Sequence, residues 1–140
     1  AELKEIVRQL RLENHVVFAG YQENIPEVMS AFDVFVLPTL QETFGLVAIE
    51  AMAMECPIVI AKGGSAQEIV GENELGMTVR ADDAYDLQQQ LRYMVAHPEI
   101  CEEMGRRARK HVQAHYDRRL RIHRTLDLFD RMIRRRSMLT

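Results

Sequence analysis

Short apolar segments separated by helical patterns constrain the fold of this chain most strongly. Residues 34–37 (VFVL) and 57–61 (PIVIA) are apolar throughout. A strand with one face in water alternates apolar and polar residues, whereas a strand covered on both faces does not. Strands of this kind, joined by helices through short loops, are typical of a doubly wound parallel sheet. We therefore expect an α/β protein with helices on both faces of the sheet.

The remaining segments extend this alternation along the chain. Strands are predicted at 15–19, 33–37, 57–61 and 77–80, and helices at 3–10, 26–32, 43–54 and 65–70. After the fourth strand the periodicity is helical only, with a break at Pro98 and a helix cap at Asp117. We expect one unit of residues 1–140, with about four strands in a core at 1–80 and C-terminal helices at 81–140.

Composition argues against some classes of function and location. The formal net charge of −3 gives no general attraction to nucleic acid. Cys56 and Cys101 are too few for a disulfide framework, so we expect reduced thiols in a cytoplasmic protein. No apolar stretch reaches the roughly 18 residues that span a bilayer. Attachment to the inner face of a membrane stays open.

Two glutamates, Glu42 and Glu50, flank the start of the helix predicted at 43–54. The unpaired amide groups and the positive dipole end of a helix N-terminus attract anions. Glu50 lies about 12 Å farther along than Glu42, at about 1.5 Å per residue. This arrangement suits a ligand with a central diphosphate and hydroxyl groups at both ends, which is the shape of a nucleotide sugar.

The main chain around this helix start adds to the candidate site. Gly45 has no side chain to block a ligand, and the amide groups of Thr43, Gly45 and Leu46 can donate to phosphate oxygens. Because the segment follows a parallel strand, it lies where open α/β sheets bind ligands. Two simpler interpretations remain open: Glu42 as a helix-capping acid, and Glu50 as an exposed or ion-paired side chain.

Several segments together resemble the retaining glycosyltransferases of the large family 4. The resemblance is carried by 38–53, 56–60, Gly63, Gly64 and 68–70, and it extends from about residue 3 to about residue 133. It implies a partial Rossmann-like domain, as in the C-terminal half of these two-domain enzymes, which binds the nucleotide-sugar donor. By the same resemblance, the turn at Gly63 and Gly64 closes over the donor site.

The resemblance also implies roles for the residues at the helix start. Glu42 would be the catalytic candidate and would hydrogen-bond hydroxyl groups of the donor sugar, while Glu50 would bind the ribose hydroxyls. Phe44, Gly45 and Leu46 would line the diphosphate through their main chain, with Thr43 beside them. Neither glutamate need act as a base, and no metal or other cofactor is required.

Departures from the family pattern limit what this chain is expected to do alone. The strands with a Gly-Arg turn and a basic diphosphate clamp have no counterpart here, and neither has the N-terminal acceptor domain. We therefore expect the donor-binding part of an enzyme that transfers a hexose with retention, inactive as an isolated chain. The alternative is a non-catalytic nucleotide-sugar-binding or assembly module with the same fold.

Partners follow from the same departures. Without the first strands of the family, residues 15–19 and 33–37 must either pair directly or accept strands from a second copy, as in a homo-oligomer or a strand-swapped dimer. A basic cluster adjoins an apolar stripe in the last helix and suits an anionic lipid surface; the cluster is Arg131, Arg134, Arg135 and Arg136, and the stripe is Phe129, Met132 and Ile133. We favour the simpler interpretation that these cations complement the dipole of the last helix.

Overall fold

The computed structural model describes residues 2–39, 44–71 and 74–137, with side chains described to residue 135. Seven helices and three strands lie in these ranges. In chain order they are α1 (Glu2–Gln9), α2 (Ile25–Ser30), β1 (Phe35–Leu37), α3 (Leu46–Ala53), β2 (Ile58–Ala61), α4 (Ala66–Val70), β3 (Met77–Val79), α5 (Ala84–Ala96), α6 (Pro98–His115) and α7 (Arg118–Ser137). None of these helices is long and apolar enough to cross a membrane.

The three strands form one parallel sheet in the order β1-β2-β3. Phe35 is in register with Ile58, and Val59 is in register with Met77. Every residue of the central strand β2 is buried, as its uninterrupted apolar sequence predicts. The predicted fold class, a Rossmann-like parallel sheet with helices and a helical C-terminal segment, is confirmed.

Two apolar clusters cover the two faces of the sheet. Ile58 and Ile60 of β2 pack with α3 and α4 on one face, whereas Val59 and Ala61 pack with α5 on the other. This division follows from the two-residue repeat of a strand. Helix α6 contributes buried residues to both clusters, including Met104 on the α5 side. The core therefore runs through the sheet and ends in α6.

One strand prediction is wrong. Residues 15–19 form no strand, and Val17 is 89% exposed. Within the described part of the chain, β1 pairs with β2 alone, so residues 15–19 have no strand beside them. An apolar, β-branched segment becomes a strand only where a neighbouring strand accepts its backbone hydrogen bonds. The sheet accordingly has three strands in these residues instead of about four.

The helix predicted at 65–70 also differs at its start. Ser65 and Glu68 have the spacing of a capping box, but Ser65 makes no side-chain cap hydrogen bond. Its Oγ atom is buried and has no hydrogen-bond partner among the described residues, while Glu68 is exposed. The helix itself is present as α4, so it forms by burying Ile69 and Val70 and without a side-chain cap.

Helix α6 lies unusually close to the loop between α3 and β2. A Cβ atom built on Gly105 would overlap the carbonyl oxygen of Glu55. Glu55 has a left-handed backbone (φ 60°), and its carboxylate pairs with Arg109 at 3.5 Å. Only glycine permits this approach of helix to loop. Gly105 thus determines how near α6 lies to the sheet.

Helix α7 begins as predicted and then leaves the core. The carboxylate of Asp117 accepts hydrogen bonds from the amide groups of Arg119 (2.7 Å) and Leu120 (3.2 Å), which confirms its capping role. Leu120 is half-buried, but every side chain described from residue 121 onward is exposed. Apolar residues of α7 such as Ile122, Leu126 and Phe129 are therefore not covered by the described residues.

Candidate functional site

The carboxyl ends of the three strands lie at one edge of the sheet and form its ligand-binding rim. A cavity of about 290 Å³ opens there. Its lining includes the residues that end or follow the strands and the residues before α5: Pro38, Ala61, Val79, Arg80 and Asp83. Open α/β sheets bind ligands at this edge because the following helices start there. The helix start that the sequence predicted as the candidate site follows β1 and therefore belongs to this end of the sheet.

Gly45 sets the start of α3 through its backbone. It adopts the left-handed conformation (φ 68°, ψ 38°), which costs a glycine little and other residues more. Its carbonyl oxygen accepts hydrogen bonds from the amide groups of Ala48 (2.9 Å) and Ile49 (3.1 Å), the first of the helix. The helix predicted at 43–54 is therefore observed as Leu46–Ala53. The glycine is needed here for its conformation as well as for its small size.

Glu50 is the only charged residue of α3, and it is exposed. Leu46, four positions earlier, is exposed as well, so the two residues share one face of the helix. The opposite face is buried through Ala48 and Met52. The Glu50 carboxylate makes no hydrogen bond or ion pair with another described residue. The ion-pair interpretation is thus unsupported within these residues, and the carboxylate faces solvent beside the helix start.

Of the other three residues predicted at the helix start, the structure describes only Phe44. Glu42 and Thr43 lie outside the described residues, so their roles stay predictions. Phe44 lies directly before Gly45, and its side chain is partly exposed. The structure thus brings Phe44, Gly45, Leu46 and Glu50 together around the first turns of α3.

The loop after β2 carries the other two predicted residues. Gly63 and Gly64 both have positive φ angles, 146° and 51°, so the turn depends on glycine. A cavity of about 380 Å³ lies against this loop, lined in part by Lys62, Gln67 and Thr78. Because β1 and β2 are neighbours, the loop and the start of α3 share the same rim of the sheet. Closure of the loop over a donor stays a prediction.

Sequence reasoning gave no role to Arg80, which also lines the rim cavity. Its guanidinium lies 2.9 Å from Asp83 and 3.5 Å from Asp86, and its amide group donates to Asp86 at 2.7 Å. Asp83 also caps α5 by accepting from the amide group of Asp86 at 2.8 Å. No sequence signal pointed to it, because Arg80 was included in the strand predicted at 77–80, whereas the observed strand ends at Val79. This cluster forms part of one wall of the cavity, where the carboxylates of Asp82 and Asp83 offset the charge of Arg80.

Among the described residues, the structure supports neither a metal site nor a reactive thiol. In residues 2–39, 44–71 and 74–137, no group of three or more His, Cys, Asp or Glu side chains is placed to hold a metal ion. His111 and His115 stack with ring centroids 4.4 Å apart. Burial lowers the pKa of His111, and the charge of His115 lowers it further.

Cys56 and Cys101 are buried, and this burial raises the pKa of both thiols, so they are packed as inert core residues.

Comparisons of the sequence identify related proteins. The model of the family "Glycosyl transferases group 1" matches residues 1–111. The chain is 31% identical over 108 residues to N-acetyl-alpha-D-glucosaminyl L-malate synthase of Bacillus anthracis, covering 77% of this chain and 28% of that protein. It is 41% identical over 85 residues to the lipopolysaccharide core biosynthesis mannosyltransferase LpsB of Rhizobium meliloti, covering 59% of this chain and 24% of LpsB. The chain thus spans under a third of these relatives.

Solved structures agree with the sequence comparisons. Sucrose-phosphate synthase from Thermosynechococcus elongatus superposes with a TM-score of 0.88 at 29% identity, covering 94% of this chain and 34% of that one. Anabaena Alr3699/HepE in complex with UDP-glucose superposes with a TM-score of 0.83 at 28% identity, covering 90% of this chain and 36% of that one. Both likenesses support the Rossmann-like fold described above.

Proposed function

Since this chain belongs to the family of glycosyl transferases group 1, we propose that it is the donor-binding part of a retaining glycosyltransferase. The whole enzyme would transfer a hexose from a nucleoside-diphosphate sugar to an acceptor. One observation carries this proposal: the exposed Glu50 carboxylate shares a face with Leu46 on α3, the helix that follows β1. The site combines a helix start suited to phosphates with a nearby acceptor suited to hydroxyl groups.

The diphosphate would lie against the first turn of α3. Main-chain groups of Phe44, Gly45 and Leu46 would face its oxygens, and the positive end of the helix dipole would offset part of its charge. Glu50 lies about 6 Å from Leu46 along the helix axis, at about 1.5 Å per residue. At that distance its carboxylate can accept hydrogen bonds from the two ribose hydroxyls. Arg80 also lies at the rim, but its charge is already offset by Asp83 and Asp86, so we give it no part in binding the diphosphate.

The sugar end of the donor would be held by residues before α3. We assign Glu42 to the sugar hydroxyls, as the catalytic candidate that orients the donor, with Thr43 beside it. The loop of Gly63 and Gly64 would approach the donor from β2. The helix terminus would stabilise the leaving diphosphate, so the proposal requires no metal ion. Support for a nucleotide-sugar ligand comes from the related structure that holds UDP-glucose.

The isolated chain is proposed to be inactive. The two relatives described above match this chain over only 28% and 24% of their lengths, and we assign binding of the acceptor to the rest of the parent enzyme. Transfer also requires the donor and acceptor to be held in reacting geometry. Residues 1–140 alone would hold only the donor, and the N-terminal acceptor domain would be the essential partner that holds the acceptor.

A binding experiment on the full-length parent enzyme tests the proposal. Calorimetric titration with UDP-, GDP- and ADP-sugars identifies the donor, and Glu50→Gln should then raise its Kd about tenfold or more, because charge-assisted hydrogen bonds to the ribose are lost. Glu102→Gln, an exposed acid on α6, is the matched control and should leave Kd unchanged. Unaltered affinity in Glu50→Gln would refute the site.

Turnover separates the proposal from the non-catalytic alternative. Full-length enzyme that binds a nucleotide sugar and transfers its hexose supports the transferase. Binding without transfer to any acceptor would instead support a nucleotide-sugar-binding or assembly module. Glu42→Gln should lower kcat while leaving the fold intact, and retention is checked by the anomeric configuration of the product.

Association and location are further parts of the proposal. In the described residues β1 pairs on one side only, and an unpaired strand edge favours pairing with another chain. We therefore propose a homo-oligomer of the isolated chain through this edge, which analytical ultracentrifugation would detect and a monomer at all concentrations would refute. Two buried, unpaired thiols support a cytoplasmic location.

A further inference from the structure

The end of α3 is closed by a backbone motif that is most often built on glycine. The amide group of Glu55 donates to the carbonyl oxygen of Met52 at 3.1 Å. The amide group of Cys56 donates to that of Ala51 at 3.0 Å, which completes a Schellman motif. Glu55 occupies the left-handed position of this motif with φ 60°, where a residue with a side chain is strained. A strained conformation persists only where surrounding contacts impose it.

Helix α6 supplies such contacts to both the main chain and the side chain of Glu55. The backbone carbonyl of Glu55 lies so close to Gly105 that an added Cβ atom would overlap its oxygen. One turn farther along α6, the guanidinium of Arg109 pairs with the Glu55 carboxylate at 3.5 Å. We call these three residues, Glu55, Gly105 and Arg109, the loop anchor. The loop anchor joins the end of α3 to the middle of α6.

Beyond the loop anchor, α3 and α6 share a buried core. Met52 of α3 and Ala108 of α6 are both 0% exposed, and they belong to one apolar cluster together with Val112. Close-packed protein interiors have low compressibility, so a displacement on one side of a contact is passed to the other side. A change in the distance between α6 and the loop after α3 therefore moves α3 as well.

The exposed side of α3 carries the candidate site. Glu50 lies five positions before Glu55, on a helix of only eight residues. Gly45, at the other end of this helix, also has a left-handed backbone. A helix this short, with a defined backbone turn at each end, shifts as one body. The loop anchor therefore sets the position of the Glu50 carboxylate relative to the sheet.

We propose that Gly105 and Arg109 are positioning residues for donor binding. Both act through Glu55, and the cavity at the carboxyl rim of the sheet is lined by other residues. The inference rests on the proposed function, because it needs Glu50 to accept hydrogen bonds from the ribose. Hydrogen bonds weaken steeply when distance or angle departs from the optimum, so a displacement of α3 by less than about 1 Å lowers the affinity for the donor.

Variants of Arg109 in the full-length parent enzyme separate positioning from stability. Both side chains of its ion pair with Glu55 are about half exposed, and such pairs add little to stability. Arg109→Gln should nevertheless raise the Kd of the donor, identified among UDP-, GDP- and ADP-sugars, about threefold or more, and Arg109→Lys should recover most of the affinity. The control Arg106→Gln removes a pair with Glu103 at 2.8 Å within α6 and should leave Kd unchanged. Equal effects of Arg109→Gln and either other variant would overturn the role of Arg109.

Gly105→Ala should have the larger effect, because the added methyl group forces α6 away from the loop. Calorimetry distinguishes the two causes: unfolding lowers the number of binding sites per chain, whereas a displaced Glu50 raises the Kd of every site. We expect a rise of about tenfold with close to one site per chain. Leu91→Ala, on α5 at the other face of the sheet, is the destabilised control and should leave Kd unchanged. Fewer sites with unchanged Kd in Gly105→Ala would overturn its positioning role, and the Arg109 variants decide if this protein does not fold.

A double-mutant cycle ties the effect to Glu50. If Arg109 acts through Glu50, Arg109→Gln should change Kd less in the Glu50→Gln background than in the wild type. Equal fold-changes in the two backgrounds would overturn the inference and leave the proposed function intact. A parent enzyme that binds no nucleotide sugar, or an unaltered Kd in Glu50→Gln alone, would refute the proposed function and this inference with it. The KM for the donor should rise more than kcat falls, because the sugar end is assigned to Glu42.

Discussion

Helices α3 and α7 both contain many apolar residues, but only α3 is buried. Met52 of α3 is 0% exposed, whereas Met132 of α7 is 59% exposed. Helix α3 has one charged residue among eight and lies between the sheet and α6, while α7 has ten among twenty and packs only at its start. Apolar residues alone therefore do not bury a helix. They must meet a matching surface in the same chain.

The largest expected difference comes from one residue type in the two helices. Met52→Ala should lower the free energy of unfolding by about 3 kcal/mol, because it leaves a cavity in a packed core. Met132→Ala should change it by less than about 0.5 kcal/mol, since its side chain is exposed. Urea denaturation measures both values. Similar losses in the two variants would mean that α7 is part of the folded core.

A second change acts on the helix that completes the core. Gly105→Ala should destabilise the chain by about 2 kcal/mol, because the added methyl group forces α6 away from the Glu55 carbonyl. The usual preference of helices for alanine over glycine would be outweighed. Gln113→Ala, at an exposed position of α6, serves as the control. A stabilised Gly105→Ala variant would disprove the close approach of helix and loop.

Removing most of α7 should have a smaller effect. Deletion of residues 121–140 should lower the free energy of unfolding by less than about 1 kcal/mol, because the deleted side chains that the structure describes are all exposed. Thermal unfolding followed by circular dichroism provides the measurement. Loss of the cooperative transition would show that α7 stabilises the sheet and would remove the contrast between the two helices.

The smallest effect is expected at His111, which lies near the end of α6, the helix that packs on α3 and precedes α7. Its folded-state pKa lies below the ordinary 6.5, because burial and His115 disfavour the charged ring. The unfolded chain therefore binds the proton first as pH falls, so stability is lost below about pH 6.5. His111→Gln should reduce this loss, and His123→Gln on α7 should not. Denaturation at about pH 7.5 and 5.5 compares them, and an unchanged loss in His111→Gln would contradict the assignment.

The sequence predicted correctly those elements that are determined by residues adjacent in the chain. The uninterrupted residues 57–61 indicated a buried strand, and Asp117 indicated a helix start; both are confirmed. Residues 15–19 carry an equally apolar pattern, yet no strand forms, because pairing depends on a neighbour that the pattern does not contain. Likewise Ser65 fits a capping box by spacing, but its hydroxyl points into a buried position.

The candidate site shows the same limit. The role of Gly45 was predicted from the space that a ligand needs, and the structure adds the left-handed backbone that starts α3. The exposure of Glu50 could not be read from sequence, because a carboxylate among apolar residues is compatible with a buried ion pair or a solvent-facing site. Arg80 was missed because its importance depends on the cavity formed by three separate strands.

The two left-handed residues that bound α3 have a consequence for insertions and deletions. Gly45 marks where the helix starts and Glu55 marks where it stops. One residue added or removed between them would rotate Glu50 by about 100° relative to one of the two ends. This segment can therefore vary by substitution but not in length, in contrast to surface loops, which tolerate both.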